Sequence, residues 1–224
     1  MSKLIVIDPG HGGADPGAVN GSRFEKNDNL RMSLAIRDRL RAQGHNVIMT
    51  REGDTNPSLD QRIAVANNNG ADLFISVHRN SFTNPVAHGI ENWIRNPAHR
   101  EAAEIVLSEL AKEPNQANRG VKQGNYRVLL GAEMPAMLIE IGFISNTEDN
   151  RLFDAHFDAY ATAIARGILS ALGEPFTEPA RPSAQPLYRV QVGAFSVRAN
   201  AEAFLQKVRD MGLDAFIVPP TDTR

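Results

Sequence analysis

Two histidines and two glutamates have the residue types and the positions of a catalytic metal centre. His11 follows the short apolar run IVI within a glycine-rich turn, His78 directly follows DLFISV, and Glu140 lies near the end of AMLIEI. Glu25 stands at the start of the first predicted helix. Because ligands of an open parallel sheet bind outside the carboxyl ends of the strands, we expect these four side chains to converge at one edge of a sheet.

Two imidazoles and one carboxylate are a known zinc ligand set, which leaves a fourth position for a water molecule of lowered pKa. A second carboxylate nearby can take the proton of that water. The glycines around His11 let the backbone bend sharply and let a substrate approach closely. An acid such as Glu140 inside the run MLIEIGFI is costly to bury unpaired, so it should lie close to a metal, form an ion pair or be protonated.

Each of these residues also has an ordinary explanation. A histidine at the end of a strand can be a hydrogen-bonded structural group, and Glu25 can simply be an acidic residue that favours the amino end of a helix. Residue types alone leave both interpretations open.

The segments that must position these residues alternate between strands and helices. Helical spacing of apolar residues predicts helices over residues 27–41, 60–68, 100–112 and 153–172. Short apolar runs predict strands over residues 3–7, 47–50, 73–77, 127–130 and 137–141. This alternation predicts an α/β fold, a three-layer sandwich with a mostly parallel sheet.

Composition narrows the class of protein. The 224 residues are 42% hydrophobic and 22% charged, which is typical of a globular protein. The net charge is −2, whereas nucleic-acid-binding proteins usually carry an excess of basic residues, so we expect no nucleic-acid partner. Without cysteine, any metal must be held by His, Asp or Glu. No run approaches the ~20 apolar residues of a membrane span, so we expect no membrane insertion.

The carboxy-terminal part differs in composition from the rest. The segment GEPFTEPARPSAQP contains four prolines and predicts a linker over residues 174–186, after a first domain of residues 1–173. Residues 187–224 then predict a single βαβ unit, half of a ferredoxin-like fold, with strands 188–194 and 215–218 and a helix over residues 199–211. Such a unit is too small to bury a core alone.

From residue 3 to about residue 172 the chain resembles the zinc-dependent N-acetylmuramoyl-L-alanine amidases of the amidase type 3 family. The matching blocks are VIDPGHGGADPGA, EKNDNL, TREGD with SLDQRIAVAN, GADLFISVHRNS, HGIENW, NRGVKQGNYRVL and MPAMLIEIGFISN. The resemblance implies one zinc ion held by His11, Glu25 and His78, with Glu140 as catalytic acid and base. It also implies hydrolysis of the amide between N-acetylmuramic acid and L-alanine of the peptidoglycan stem peptide.

Arg79 departs from the family pattern, in which a small or uncharged residue commonly precedes the asparagine found here as Asn80. One hypothesis is that its guanidinium group binds a carboxylate of the stem peptide, for which a planar fork of donors is suited. The alternative is an arginine that points into solvent. Asn80 is a second candidate for substrate binding, as a residue that orients this loop.

The stretch YRVQVGAFSVRANAEAF resembles half of a SPOR domain. That family binds glycan strands on a four-stranded sheet built from two βαβ repeats, which implies peptidoglycan as a partner. Because a single repeat leaves sheet edges unpaired, we expect two chains to pair as a homodimer. The alternatives are an appendage on the first domain and a sequence that continues in nature.

Two other functions stay open: a non-catalytic peptidoglycan-binding protein, and a zinc peptidase that cuts within the stem peptide. The apolar run over residues 4–7 is too short for the apolar region of a secretory signal, so we expect no export signal. We therefore expect synthesis in the cytoplasm and action on the cell wall after release by host lysis or by a membrane-permeabilising partner. The protein would then be either a phage endolysin or a sporulation-type autolysin that digests a spore-forming mother cell from within.

Overall fold

The computed structural model describes residues 2–114, 117–178, 191–210, 215, 217 and 218. The chain divides into two compact units, Met1–Thr177 and Glu178–Arg224. All of the candidate site residues belong to the first unit. Among the described residues, no helix is both long enough and apolar enough to cross a lipid bilayer.

In the described part of the first unit, six strands form one sheet. They are β1 Leu4–Pro9, β4 Asn46–Met49, β5 Leu73–Asn80, β6 Ile90–Ile94, β7 Asn118–Gln123 and β8 Ala136–Phe143. Their spatial order is β4-β1-β5-β8-β6-β7, and every neighbouring pair is parallel except β6 with β8. The mostly parallel sheet is thus confirmed. Two short strands, β2 Val19–Asn20 and β3 Arg23–Phe24, form a separate hairpin.

Helices cover both faces of this sheet and complete the expected three layers. They are α1 Glu25–Ala42, α2 Leu59–Asn68, α3 Arg100–Leu110, α4 Thr147–Ala155 and α5 Phe157–Ala171. Residues of α1, α3 and α5 share the larger apolar core with one face of the sheet. On the other face, α2 and a 3-10 helix at Arg127–Leu129 enclose a smaller core.

Local sequence explains where the main helices begin and which faces they bury. Met32, Ile36 and Leu40 recur at intervals of four along α1 and are fully buried, so this helix presents one apolar stripe to the sheet. At the start of α2, the side chain of Ser58 accepts a hydrogen bond from the backbone N–H of Gln61, and the side chain of Gln61 accepts one from the backbone N–H of Ser58. This capping box satisfies donors that a helix start leaves unpaired.

Three details differ from the sequence expectations. Residues 127–130 are not a strand, because Val128 and Leu129 are buried in a 3-10 turn of the smaller core. Strands β6 and β7 were not predicted. Strand β7 has the polar sequence NRGVKQ at the edge of the sheet, where strand propensity is a weak signal. The predicted helix 153–172 is two helices, α4 and α5, which meet at His156 with φ −117° and ψ 21°.

The second unit contains one described helix, α6 Arg198–Asp210, where residues 199–211 predict one. Residue 211 lies outside the described residues, as do residues 188–190 of the first predicted strand. The described remainder of that strand is irregular, as are residues 215, 217 and 218 of the second. In a split βαβ unit each strand pairs with a strand of another repeat, and no such partner strand is found among the described residues.

Candidate metal centre and catalytic acid

The structure brings His11, Glu25 and His78 together where β1 and β5 end and α1 begins. One ligand atom from each of them lies within 4.8 Å of the others. Nε2 of His11 is 3.2 Å from Oε2 of Glu25, and Nδ1 of His78 is 2.9 Å from Oε1 of the same carboxylate. Two imidazole nitrogens and one carboxylate therefore surround a single point, with donor types that suit zinc.

His11 is held in an uncommon backbone conformation. Its φ is +60°, the left-handed region that costs a non-glycine residue roughly 1–2 kcal/mol. Directly after His11, Gly12 and Asp15 exchange backbone hydrogen bonds in a tight turn. Oδ2 of Asp15 lies 2.8 Å from Nδ1 of His11. A carboxylate on that ring nitrogen fixes the orientation of the ring and directs Nε2 towards the metal position.

His78 is packed directly against the glycine-rich turn. A Cβ atom at Gly10 would lie 2.2 Å from the His78 ring, so only glycine leaves room for the imidazole at this position. The backbone of the turn is thereby one wall of the site. This close approach explains why the chain places glycine immediately before His11.

Electrostatics keep the central carboxylate charged. Burial alone would raise the pKa of Glu25, but hydrogen bonds to His11 and His78 outweigh burial and hold the pKa far below its usual value. Burial would lower the pKa of His11, but the hydrogen bonds and charges of Glu25 and Asp15 raise it to about 9. The site therefore carries a buried negative charge that attracts a cation, whether a proton on imidazole or a metal ion.

Glu140 stands beside this cluster on the next strand. It lies opposite His78 in the parallel β5–β8 ladder and opposite Glu91 in the antiparallel β6–β8 ladder. Its side chain is buried, and Oε2 has no hydrogen-bond partner among the described residues. Burial, together with the negative charges of Glu25 and Glu91, raises its pKa well above the usual value. A buried carboxyl with an unused oxygen next to a metal position can hold and release a proton.

Two buried arginines that were not singled out from the sequence hold the backbone of the site. Arg62 donates to the carbonyl oxygens of Pro9 and His11, at 2.7 and 2.9 Å, and to the Asp8 carboxylate. Arg51 donates to the carbonyl oxygens of Pro9 and Gly10, both at 2.9 Å. The sequence did contain a signal for Arg62, because it lies on the apolar face of a predicted helix. A charge buried there requires hydrogen-bond or ion-pair partners.

Arg79 corrects both interpretations made from the sequence. Its side chain is 1% exposed, so it neither binds a substrate carboxylate nor points into solvent. Nη1 donates to Asp28 at 2.8 Å, Nη2 donates to Asn150 at 2.7 Å, and the guanidinium lies 4.2 Å from the centre of the Phe153 ring. Successive residues of a strand point to opposite faces, so Arg79 faces away from the side of His78.

The backbone of Arg79 nevertheless contributes to the site, because its N–H group donates to Oε1 of Glu25 at 3.2 Å. Asn80 also bonds within the protein. Its amide nitrogen donates to Glu91 at 2.8 Å, and its amide oxygen accepts from the backbone of Ser81. Substrate binding by Asn80 stays a prediction.

Substitution of Gly17 should weaken metal binding by about 10- to 100-fold, the range seen when groups that support metal ligands are disturbed. In Gly17→Ala, the new Cβ would lie 2.6 Å from both Oε2 of Glu25 and Cδ2 of His11. At least one ligand must then move. Competition with a chromogenic zinc chelator measures the loss of affinity.

Gly21→Ala is the matched control for this substitution. Gly17 and Gly21 have similar φ values, +66° and +60°, but no described atom lies within 4 Å of a Cβ at Gly21. Both variants therefore carry the backbone cost of a left-handed alanine, and Gly17→Ala alone crowds the ligands. Equal zinc affinities in the two variants would contradict the prediction.

Family models match both parts of the chain. The family model described as N-acetylmuramoyl-L-alanine amidase matches residues 5–170, and the SPOR domain model matches residues 165–223. The sporulation-specific N-acetylmuramoyl-L-alanine amidase of Bacillus subtilis (strain 168) is 36% identical over 220 residues, which cover 96% of this chain and 84% of that protein.

Solved structures extend the similarity to the fold. The catalytic domain of CwlV, an N-acetylmuramoyl-L-alanine amidase from Bacillus (Paenibacillus) polymyxa var. colistinus, superimposes with a TM-score of 0.74 at 35% identity, over 77% of this chain and 99% of that one. An N-acetylmuramoyl-L-alanine amidase from Clostridium difficile 630 has the same TM-score and identity, over 77% of this chain and 97% of that one.

Proposed function

The chain belongs to the N-acetylmuramoyl-L-alanine amidase family, and from this membership we propose that it hydrolyses the amide bond between N-acetylmuramic acid and L-alanine of peptidoglycan. The observation that carries the proposal is the cluster of His11, Glu25 and His78 beside Oε2 of Glu140, which has no hydrogen-bond partner in the described part of the chain. The bond to be cleaved is inferred from the names of the relatives, and the residues that would cleave it are inferred from the geometry of the site.

The residues at the centre fit a zinc ion. Their donor atoms lie within 4.8 Å of one another, and Asp15 holds the His11 ring as carboxylates commonly hold metal-bound histidines. A zinc ion held by His11, Glu25 and His78 would act as a Lewis acid that activates water and polarises the substrate carbonyl. We propose one such ion per chain.

The protein's own part in the reaction falls to Glu140 and the glycine-rich turn. Oε2 of Glu140 accepts a proton from the attacking water and delivers it to the nitrogen of the departing alanine. Its raised pKa suits both steps, since a carboxyl of ordinary pKa would release its proton too readily at neutral pH. The glycine-rich turn contributes by leaving room for the His78 ring, which a Cβ atom at Gly10 would contact at 2.2 Å.

Digestion of purified cell walls with zinc-loaded protein tests this proposal against its rivals, with mass spectrometry of the products. Free stem peptides with an amino-terminal alanine are the expected result. Shortened stems would instead identify a zinc peptidase, and an absence of products would leave a peptidoglycan-binding protein. The four clustered residues disfavour the last alternative.

For the second unit we propose peptidoglycan binding and pairing of two copies. The match to the SPOR domain model supports the first part. In the described part of this unit, five apolar side chains are exposed and support the second part: Val192, Phe195, Val197, Ile217 and Val218. Sedimentation of the full chain at micromolar concentrations should detect a dimer, and a strictly monomeric protein would contradict the pairing.

The setting we favour is a sporulation-type autolysin, because the Bacillus subtilis relative is named as sporulation-specific. Release from the cytoplasm before action on the wall stays a prediction.

A further inference from the structure

A row of charged side chains crosses four neighbouring strands on the face that carries Glu140. His78 of β5 lies opposite Glu140 of β8, and Glu140 lies opposite Glu91 of β6. On the edge strand β7, Arg119 and Lys122 reach back to Glu91. The row therefore begins at the metal ligands and ends in two cations.

Glu91 anchors both cations in defined positions. Glu91 is 2% exposed, and its carboxylate accepts four hydrogen bonds. Asn80 and the indole of Trp93 donate to Oε1 at 2.8 and 3.0 Å, while Nε of Arg119 donates to Oε2 at 2.7 Å and the ammonium of Lys122 donates to the same oxygen. A buried carboxylate with all these donors cannot turn away, so the two cations that it holds are pre-organised.

The two cations exceed what Glu91 can neutralise. One carboxylate balances one of two positive charges, and the side chains of Arg119 and Lys122 are 37% and 34% exposed. A lysine ammonium has three donors and an arginine guanidinium has five. In the described part of the chain, Lys122 uses one donor, and Arg119 uses one for Glu91 and one for the carbonyl of His88. The remaining donors are available to an anion.

Two aromatic rings border this cationic end. Trp93 and Tyr126 meet edge to face with their centres 5.2 Å apart, and Nζ of Lys122 lies 5.2 Å from the centre of the Trp93 ring. The indole limits where the ammonium can move, and the phenol ring remains partly exposed. Fixed cations next to a partly exposed ring form a recess for a ligand that has both an anionic group and an apolar or sugar surface.

The distance from the metal ligands to the cations matches the reach of a short peptide. The charged groups of Arg119 and Lys122 bond to Glu91 on β6, two strands away from His78 on β5, which corresponds to roughly 10 Å at the usual strand spacing. An extended peptide advances about 3.3–3.6 Å per residue, so about three residues span this distance.

We propose that Arg119 and Lys122 form an anion subsite that binds a carboxylate of the stem peptide about three residues beyond the amide bond that is cleaved. The proposal rests on the proposed amidase function, which sets the position of the scissile bond. The subsite makes the enzyme prefer stem peptides with free carboxylates over stem peptides in which these groups are amidated.

The test uses the full chain loaded with zinc and two muramoyl tripeptides that differ only in whether the carboxyl groups of the second and third residues are free or amidated. Arg119→Gln and Lys122→Gln should each raise KM for the acidic substrate roughly tenfold, the loss expected for one charge-assisted hydrogen bond. KM for the amidated substrate should stay within about twofold. Lys122→Arg should retain the preference, because it keeps the charge.

Arg100→Gln is the matched control. Arg100 contacts the same strand from α3, with Nη1 3.2 Å from the carbonyl oxygen of Val121, and it pairs with Glu104 at the surface. Its loss should change neither KM. Equal losses on both substrates in the Arg119 and Lys122 variants would overturn the subsite and leave these cations as structural partners of Glu91.

Equilibrium binding separates failure of the subsite from failure of the proposed function. If the wild-type protein cleaves neither tripeptide, the amidase proposal fails, but calorimetry still measures whether the acidic tripeptide binds more tightly than the amidated one. A preference that disappears in Lys122→Gln supports the subsite. Equal binding of the two tripeptides by the wild-type protein overturns it.

Discussion

Glu140→Gln is expected to lower kcat by about 10²- to 10⁴-fold while zinc binding stays unchanged. The contribution of a positioned general acid and base sets this magnitude. The amide of glutamine has the shape of the carboxyl group but cannot take a proton from water, and Glu140 is not one of the three clustered ligand residues. Turnover of purified cell walls and the zinc content of the same sample are the two measurements.

The control for this variant is Glu133→Gln, which removes an exposed carboxylate just before the same strand. It should retain full activity. If Glu140→Gln kept wild-type turnover, Glu140 would not be the catalytic acid and base. If the Glu140→Gln variant lost zinc together with activity, the role of Glu140 would be in zinc binding and not in proton transfer.

His78→Ala should abolish both zinc binding and wall hydrolysis. The substitution removes one of two imidazoles from a cluster of three ligands, and two remaining side chains cannot complete a catalytic zinc site. Without the Lewis acid, neither the attacking water nor the substrate carbonyl is activated, so hydrolysis should fall to the background of the assay. Zinc stoichiometry by atomic spectroscopy and release of soluble wall fragments give the result.

Removal and return of the metal tests the same metal dependence in the wild-type protein, without mutation. Removal of metal by a chelator should stop hydrolysis, and added zinc should restore it. The control variant for His78→Ala is His45→Gln. His45 lies at the far end of α1, and its ring accepts a hydrogen bond from the backbone of Lys3. Equal wall solubilisation by chelator-treated and metal-loaded samples would contradict a metal-dependent mechanism.

Much of the fold could be predicted from the sequence because apolar runs and helical spacing report burial directly. The runs that contain β1, β5 and β8 are buried on both faces, and such strands occur in parallel sheets covered by helices. Strand β7 escaped prediction because an edge strand with polar residues has no apolar signal, and its place in the sheet depends on the neighbour that pairs with it.

By itself, the sequence determined that two histidines and one acid follow or end apolar strands, and that a second acid opens the first helix. Strand direction then brings such residues to one edge, because parallel strands all present their carboxyl ends there. Only the tertiary structure decided the direction and partners of each side chain. Arg79 follows His78 immediately, yet it is buried against Asp28 and Phe153, while His78 faces Glu25. The partners that permit a buried charge come from distant segments, and their proximity exists only in the packed chain.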